Sequence, residues 1–159
     1  MKRFTIFIHG QESSSQGTKG VFFRNLFPEM IIPDFTGDVS ERMLMLNELL
    51  KDKEEIIMIG SSLGGLMAAL YTFENEKKIT KLILLAPAIN LPEFNPYVLQ
   101  TIGIPVYVFH GREDELLPLK DIQDISKKVF TNLKFTVLDD DHRLSRQFTS
   151  IDWANLLEN

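Results

Sequence analysis

Three kinds of side chain in this 159-residue chain are able to share one chemistry: a serine framed by glycines, a few histidines, and carboxylates. The serine is Ser62, in Gly60-Ser61-Ser62-Leu63-Gly64. Glycines two before and two after a serine suit a sharp strand-to-helix turn, where a Cβ at either place would collide with backbone. Only this register fits, because Ser61 would need glycines where Ile59 and Leu63 stand. A plain Gly/Ser turn is the competing reading. A serine hydroxyl is a weak nucleophile at neutral pH, so it needs a base to take its proton. That base in turn needs an acid to fix its tautomer and stabilise the imidazolium. His9, His110 and His142 are the available bases. Asp114 and the run Asp139-Asp140-Asp141 are the candidate acids.

The elements that must position these groups follow from the apolar pattern. Short β-branched and aromatic runs predict six strands: Phe4–Ile8, Met30–Pro33, Glu55–Ile59, Lys81–Ala86, Ile104–Phe109 and Leu133–Leu138. Residues 10–20 are polar and rich in Gly and Ser, and read as a loop. Helical spacing follows in residues 21–27. It recurs from a cap at Asp38 or Ser40 through Leu50, after the serine turn, from Pro118 to Phe130, and from Gln147 to Leu157. Residues 88–103 mix Pro, Asn and apolar side chains, which predicts loop with a helical turn or two. The strands are apolar throughout rather than alternating. That is the signature of an α/β fold: a doubly wound, mainly parallel six-stranded sheet with helices on both faces. Residues 1–159 are expected to form a single domain. In such sheets the working site lies beyond the carboxyl ends of the strands. His9-Gly10-Gln11, Ser62, His110 to Asp114, and Asp139 to His142 all follow strands, and Ser62, Asp114, His142 gives the order serine, acid, base.

At these residues the chain resembles the α/β-hydrolase superfamily, in particular its short, cap-less bacterial esterase-like members. The resemblance rests on His9-Gly10 with Ser13-Ser14 following, Gly60 to Gly65, His110-Gly111-x-x-Asp114 with Pro118, and the late His142. It implies a catalytic triad of Ser62, His142 and Asp114. It also implies an oxyanion hole from the backbone N–H groups of Gln11 and Leu63. The implied activity is that of a carboxylesterase-like serine hydrolase, cleaving small esters or thioesters through an acyl-serine intermediate. The run Asp139-Asp140-Asp141 departs from the family, where small residues often precede the histidine, and leaves the acid open between Asp114 and one of these three. The short 88–103 segment stands where larger members carry a cap domain. Leu91, Phe94 and Tyr97 within it have two readings, as walls of a substrate cleft or as helix-core packing. His9 and His110 read as hydrogen-bonded structural histidines, and Lys19 as a solvated side chain.

Composition narrows the alternatives. The chain is 44% hydrophobic with net charge −5, and no Lys/Arg cluster is present, which argues against nucleic acid. Absence of cysteine excludes disulfides and thiolate chemistry. Neither H-E-x-x-H nor a close His pair occurs, and neither phosphate-binding glycine motif is matched, so no metal and no cofactor is expected. No apolar run is long enough to span a membrane. The expected partner is a small ester or thioester substrate and the expected location cytoplasmic; oligomeric state is not encoded in any visible pattern. A hydrolase-shaped binding protein without activity, and a peptidase or acyltransferase using the same residues, are the rival functions.

Overall fold

Apolar side chains on both sides of each central strand demand cover on both faces, and the computed structural model, which describes residues 3–158, supplies it. The strands are β1 (Phe4–Ile8), β2 (Ile56–Ser61), β3 (Ile79–Leu85), β4 (Val106–Gly111) and β5 (Leu133–Leu138). They pair in parallel in the order β1-β2-β3-β4-β5. The helices are α1 (Thr18–Leu26), α2 (Val39–Leu50), α3 (Leu63–Glu74), α4 (Leu119–Val129) and α5 (Trp153–Glu158). Side-chain alternation sorts the core into two layers. Ile6, Met58, Leu84 and Val108 face Leu46 and Leu50 of α2, most of α3, and Ile122 and Val129 of α4. Phe7, Ile57, Ile59, Ile83 and Leu85 face Phe23 of α1 and Trp153 and Leu156 of α5.

The sheet has five strands among the described residues, not six. Residues Met30–Pro33, expected as a strand, contribute only an isolated parallel bridge between Ile31 and Ile6. Ile31 donates to the Thr5 carbonyl and accepts from Phe7 N–H. Pro33 has no N–H to continue the ladder, which limits the pairing to that one residue. The bridge still marks the path of the chain. From β1 it runs to the outer side of β1, then crosses back through α2 to lay β2 on the inner side. The reversal puts the carboxyl ends of β1 and β2 at a topological switch point, where sheets of this kind bind ligands. The helix expected over 147–157 is split. A 3₁₀ turn at Phe148–Ser150 ends in extended backbone at Ile151, and α5 restarts after Asp152, whose side chain accepts from Asn155 N–H.

Residues 88–103 form no cap. The 3₁₀ segment Pro92–Tyr97 packs along α3: Phe94 is fully buried, with its ring centroid 5.4 Å from that of Phe73. Tyr97 donates its hydroxyl hydrogen to Glu74 at the far end of α3, and burial together with that carboxylate pushes its pKa up to about 12. Leu91 packs against the same core layer. For Phe94 the structure shows core packing, because a fully buried ring presents no surface to a ligand, while Leu91 and Tyr97 are half-buried against the same core. Phe94→Ala is therefore expected to cost about 3–5 kcal/mol of stability. Denaturant unfolding checks this, and a loss well under 1 kcal/mol would contradict it.

Candidate active site

Ser62 stands between β2 and α3 at φ 56° and ψ −116°. A non-glycine residue in that region is strained, and persists only where its surroundings dictate it. Here they do. Ser62 N–H donates to the Leu85 carbonyl, and its own carbonyl accepts from Gly65, Leu66 and Ala88. The flanking glycines are required by contact. A Cβ on Gly60 would lie 2.3 Å from the Gly64 carbonyl oxygen, and one on Gly64 would lie 2.1 Å from the Ile8 carbonyl oxygen. Gly10 packs less tightly on the other side, where a Cβ would meet the Ser62 Cβ at 3.3 Å.

The side chains that follow β4 and β5 complete a hydrogen-bonded chain. His142 Nε2 lies 3.0 Å from Ser62 Oγ, and His142 Nδ1 lies 2.7 Å from Asp114 Oδ2. A carboxylate offers only acceptor sites, so the imidazole carries its hydrogen on Nδ1 and leaves Nε2 to accept from the serine hydroxyl. Asp114 is fully buried. Its Oδ1 accepts the backbone N–H groups of Leu116 and Leu117 at 2.9 and 2.7 Å. Burial works against its ionisation, but the bonds from His142, Leu117 and Leu116 outweigh it and hold the carboxyl below the usual aspartate value.

The acid run lies beside this chain without entering it. Asp139 pairs with Arg112 at the surface, and Asp141 accepts from Ser145 Oγ. Asp140 is fully buried and accepts the N–H groups of Asp141, Arg146 and Gln147, so its charge shapes the turn that carries His142. Of the four aspartates only Asp114 touches the His142 ring. Gly111 allows this closure: a Cβ there would sit 2.4 Å from the Asp140 carbonyl oxygen and 2.5 Å from that of Asp141.

The other two histidines are occupied by the backbone. His9 Nε2 accepts from Phe35 N–H at 2.9 Å, while Nδ1 lies 2.7 Å from the Gly10 carbonyl oxygen, which ties the loop after β1 to residues 34–36. His110, fully buried at the end of β4, directs Nε2 at the Leu117 carbonyl at 2.8 Å. Gln11 lies just beyond His9-Gly10 at the end of β1 and Leu63 follows Ser62 directly, and among the described residues neither backbone N–H is used by a carbonyl acceptor. Lys19 differs from expectation. It is not solvated but half-buried, with Nζ donating to the Arg143 carbonyl at 2.6 Å and lying 5.3 Å from the Phe148 ring centroid. Burial lowers its pKa, against the pull of Asp141. It joins the start of α1 to the residue after His142, a contact 124 positions apart that no local pattern announces. No group of His, Asp or Glu suited to a metal ion occurs among the described residues. A cavity of about 510 Å³ lies elsewhere, between the second sheet face and α5, lined by Lys81, Tyr107, Phe109, Lys134 and Leu156.

With this geometry in hand, comparison with known proteins is informative. A family model described as serine aminopeptidase, S33, matches residues 32–101, which include the Ser62 turn and end before Asp114 and His142. No curated protein matches the sequence. Among solved structures, a hydrolase of the alpha/beta superfamily from Xanthomonas campestris pv. campestris is 25% identical, with TM-score 0.84 over 98% of this chain and 97% of that one. An esterase from Exiguobacterium antarcticum is 13% identical, with TM-score 0.81 over 99% of this chain and 91% of its own. The mouse alpha/beta hydrolase domain-containing protein 10 is 18% identical, with TM-score 0.76 over 98% of this chain and 90% of its own.

The lowered pKa of Asp114 has a consequence for stability. A carboxyl whose folded pKa is depressed stabilises the fold at pH above its unfolded value near 3.8, and that contribution is lost as pH falls through the lower folded value. Asp114→Asn should therefore be less stable than the parent at pH 7, with the gap closing below pH 3.8. Chemical denaturation at several pH values reads this directly, and a gap that stays constant down to acid pH would contradict it.

Proposed function

We propose that this chain, whose fold is that of the α/β hydrolases, is a serine hydrolase that cleaves small carboxylic esters or thioesters. The observation that carries the proposal is the unbroken path from Ser62 Oγ through His142 to buried Asp114. In this reading His142 Nε2 takes the hydroxyl proton as Oγ attacks the acyl carbon, and then gives it to the departing alcohol or thiol. Water, activated by the same nitrogen, frees the acid and restores Ser62. Asp114 holds the Nδ1–H tautomer and offsets the imidazolium charge. The Gln11 and Leu63 N–H groups, at the carboxyl ends of β1 and β2, are the donors proposed for the oxyanion.

Substrate size follows from what stands near the site. With 88–103 folded along α3, no cap covers the crevice among the described residues. Leu116, 65% exposed on the same loop as Asp114, offers a small apolar contact. Short acyl groups therefore suit this crevice better than long alkyl chains. An esterase from Exiguobacterium antarcticum shares the fold, and the family model over residues 32–101 is described as a serine aminopeptidase, which makes a peptidase the second reading.

Hydrolysis of p-nitrophenyl esters of rising chain length tests the proposal. The value of kcat/KM should fall between four and twelve carbons, and a steep rise would contradict the open crevice. Ser62→Ala should abolish turnover. Asp114→Asn should lower kcat by up to about 10⁴, as when a triad aspartate is amidated elsewhere. Asp139→Asn and Asp141→Asn, whose partners lie at the surface, should cost far less. A Ser62→Ala protein that still turns over would overturn the assignment.

A further inference from the structure

His110 is left over from the proposed chemistry, yet it lies against the acid. Its ring is fully buried, and Nε2 stands 2.8 Å from the Leu117 carbonyl oxygen and 3.2 Å from Asp114 Oδ2. Both acceptors face the same nitrogen. Nδ1, also buried, has no partner. A lone pair on Nε2 would be repelled by both oxygens, so the ring must carry its hydrogen there. Burial lowers the His110 pKa, against the pull of the Leu117 carbonyl and Asp114, so the neutral form is kept.

We propose that His110 is a positioning residue for Asp114, acting as a neutral Nε2–H donor that holds the Leu117 carbonyl and so fixes the turn that grips the acid. This rests on the reading of Ser62, His142 and Asp114 as the working groups. The carboxylate then has three donors on it, two backbone N–H groups on Oδ1 and His142 on Oδ2, with His110 Nε2 3.2 Å from Oδ2. By holding the Leu117 carbonyl, His110 closes the 114–117 turn whose N–H groups grip Oδ1. An aspartate anchored at one oxygen only could rotate about its terminal torsion, which is broad and roughly two-fold. Anchored at both oxygens, it presents Oδ2 to His142 Nδ1 in one orientation. The groups bonded to Asp114 are His142 and the Leu116 and Leu117 amides, and His110 Nε2 lies 3.2 Å from its Oδ2.

A matched pair of amide variants separates positioning from simple polarity. The side-chain nitrogen of Gln in His110→Gln falls near the Nε2 position, whereas that of Asn in His110→Asn falls near Nδ1, short of both acceptors. His110→Gln should keep kcat close to that of the parent. His110→Asn should lose up to about 10-fold in kcat with little change in KM, which is the scale of one neutral hydrogen bond. Equal activity in the folded Asn and Gln variants, or equal loss in both, would overturn the proposal. Nitrogen-15 imidazole NMR of the unmodified protein supplies a reading that needs neither variant to fold. His110 should appear as the neutral Nε2–H tautomer at pH 7, and an Nδ1–H tautomer or an imidazolium would overturn the proposal. Ser62→Ala keeps the two claims apart: retained turnover there defeats the hydrolase reading, whereas a dead Ser62→Ala with a normal His110→Asn defeats only the role of His110.

Discussion

The backbone of Ser62, held at φ 56° and ψ −116°, is the constraint on which the rest of the structure depends. A residue so placed turns the chain from β2 into α3 within one position and leaves its side chain at the sheet edge. The strain, of order 1–3 kcal/mol, is offset by backbone bonds to Leu85, Gly65, Leu66 and Ala88. Each bond comes from an element that exists for another reason as well. Leu85 ends β3, and Ala88 begins the segment that seals α3. The helix itself is buried from Leu63 through Thr72, so it cannot shift to relax the turn. Gly60 and Gly64 let β1, β2 and α3 meet at distances no side chain would permit.

A second convergence happens at the ends of β4 and β5. Gly111 removes a Cβ where the Asp140 and Asp141 carbonyls pass, and Asp140 gathers three N–H groups into the turn that bears His142. Lys19 fastens that turn to α1 through the Arg143 carbonyl. Long-range contacts of this kind fix a mobile-looking polar loop as firmly as a strand, because each buried polar group has somewhere to bond. The two convergences meet at one hydrogen bond, from Ser62 to His142.

Much of this was legible in the sequence, for identifiable reasons. β1 and β5 were bounded by clear apolar runs, and the α/β class followed from their alternation with helices. The glycine spacing around Ser62 singled out one register, because only that register removes the colliding Cβ atoms. What was not legible depends on distance. Met30–Pro33 has a strand-like pattern, yet Pro33 cannot donate and the pairing stops at Ile31. Phe94 and Tyr97 look the same in sequence whether they line a cleft or a core, and only their contacts with Phe73 and Glu74 separate the two. Asp114 and the run 139–141 compete on paper, and the fold distinguishes them by which carboxylate reaches an imidazole. Lys19 resembles any surface lysine until a residue 124 positions away is brought to it. Gly111, read in the sequence only as part of His110-Gly111-x-x-Asp114, carried a further signal: a glycine ending a strand ahead of a candidate acid marks a close approach of backbone.

The account stands or falls on whether Ser62 Oγ is an activated nucleophile. Treatment with a fluorophosphonate probe, followed by mass-spectrometric location of the modified residue, reads that property without any assumption about substrate. The structure predicts a single adduct on Ser62 that disappears in His142→Ala. An unlabelled protein that is correctly folded, or label on Ser61 or another hydroxyl with Ser62 untouched, would contradict the account.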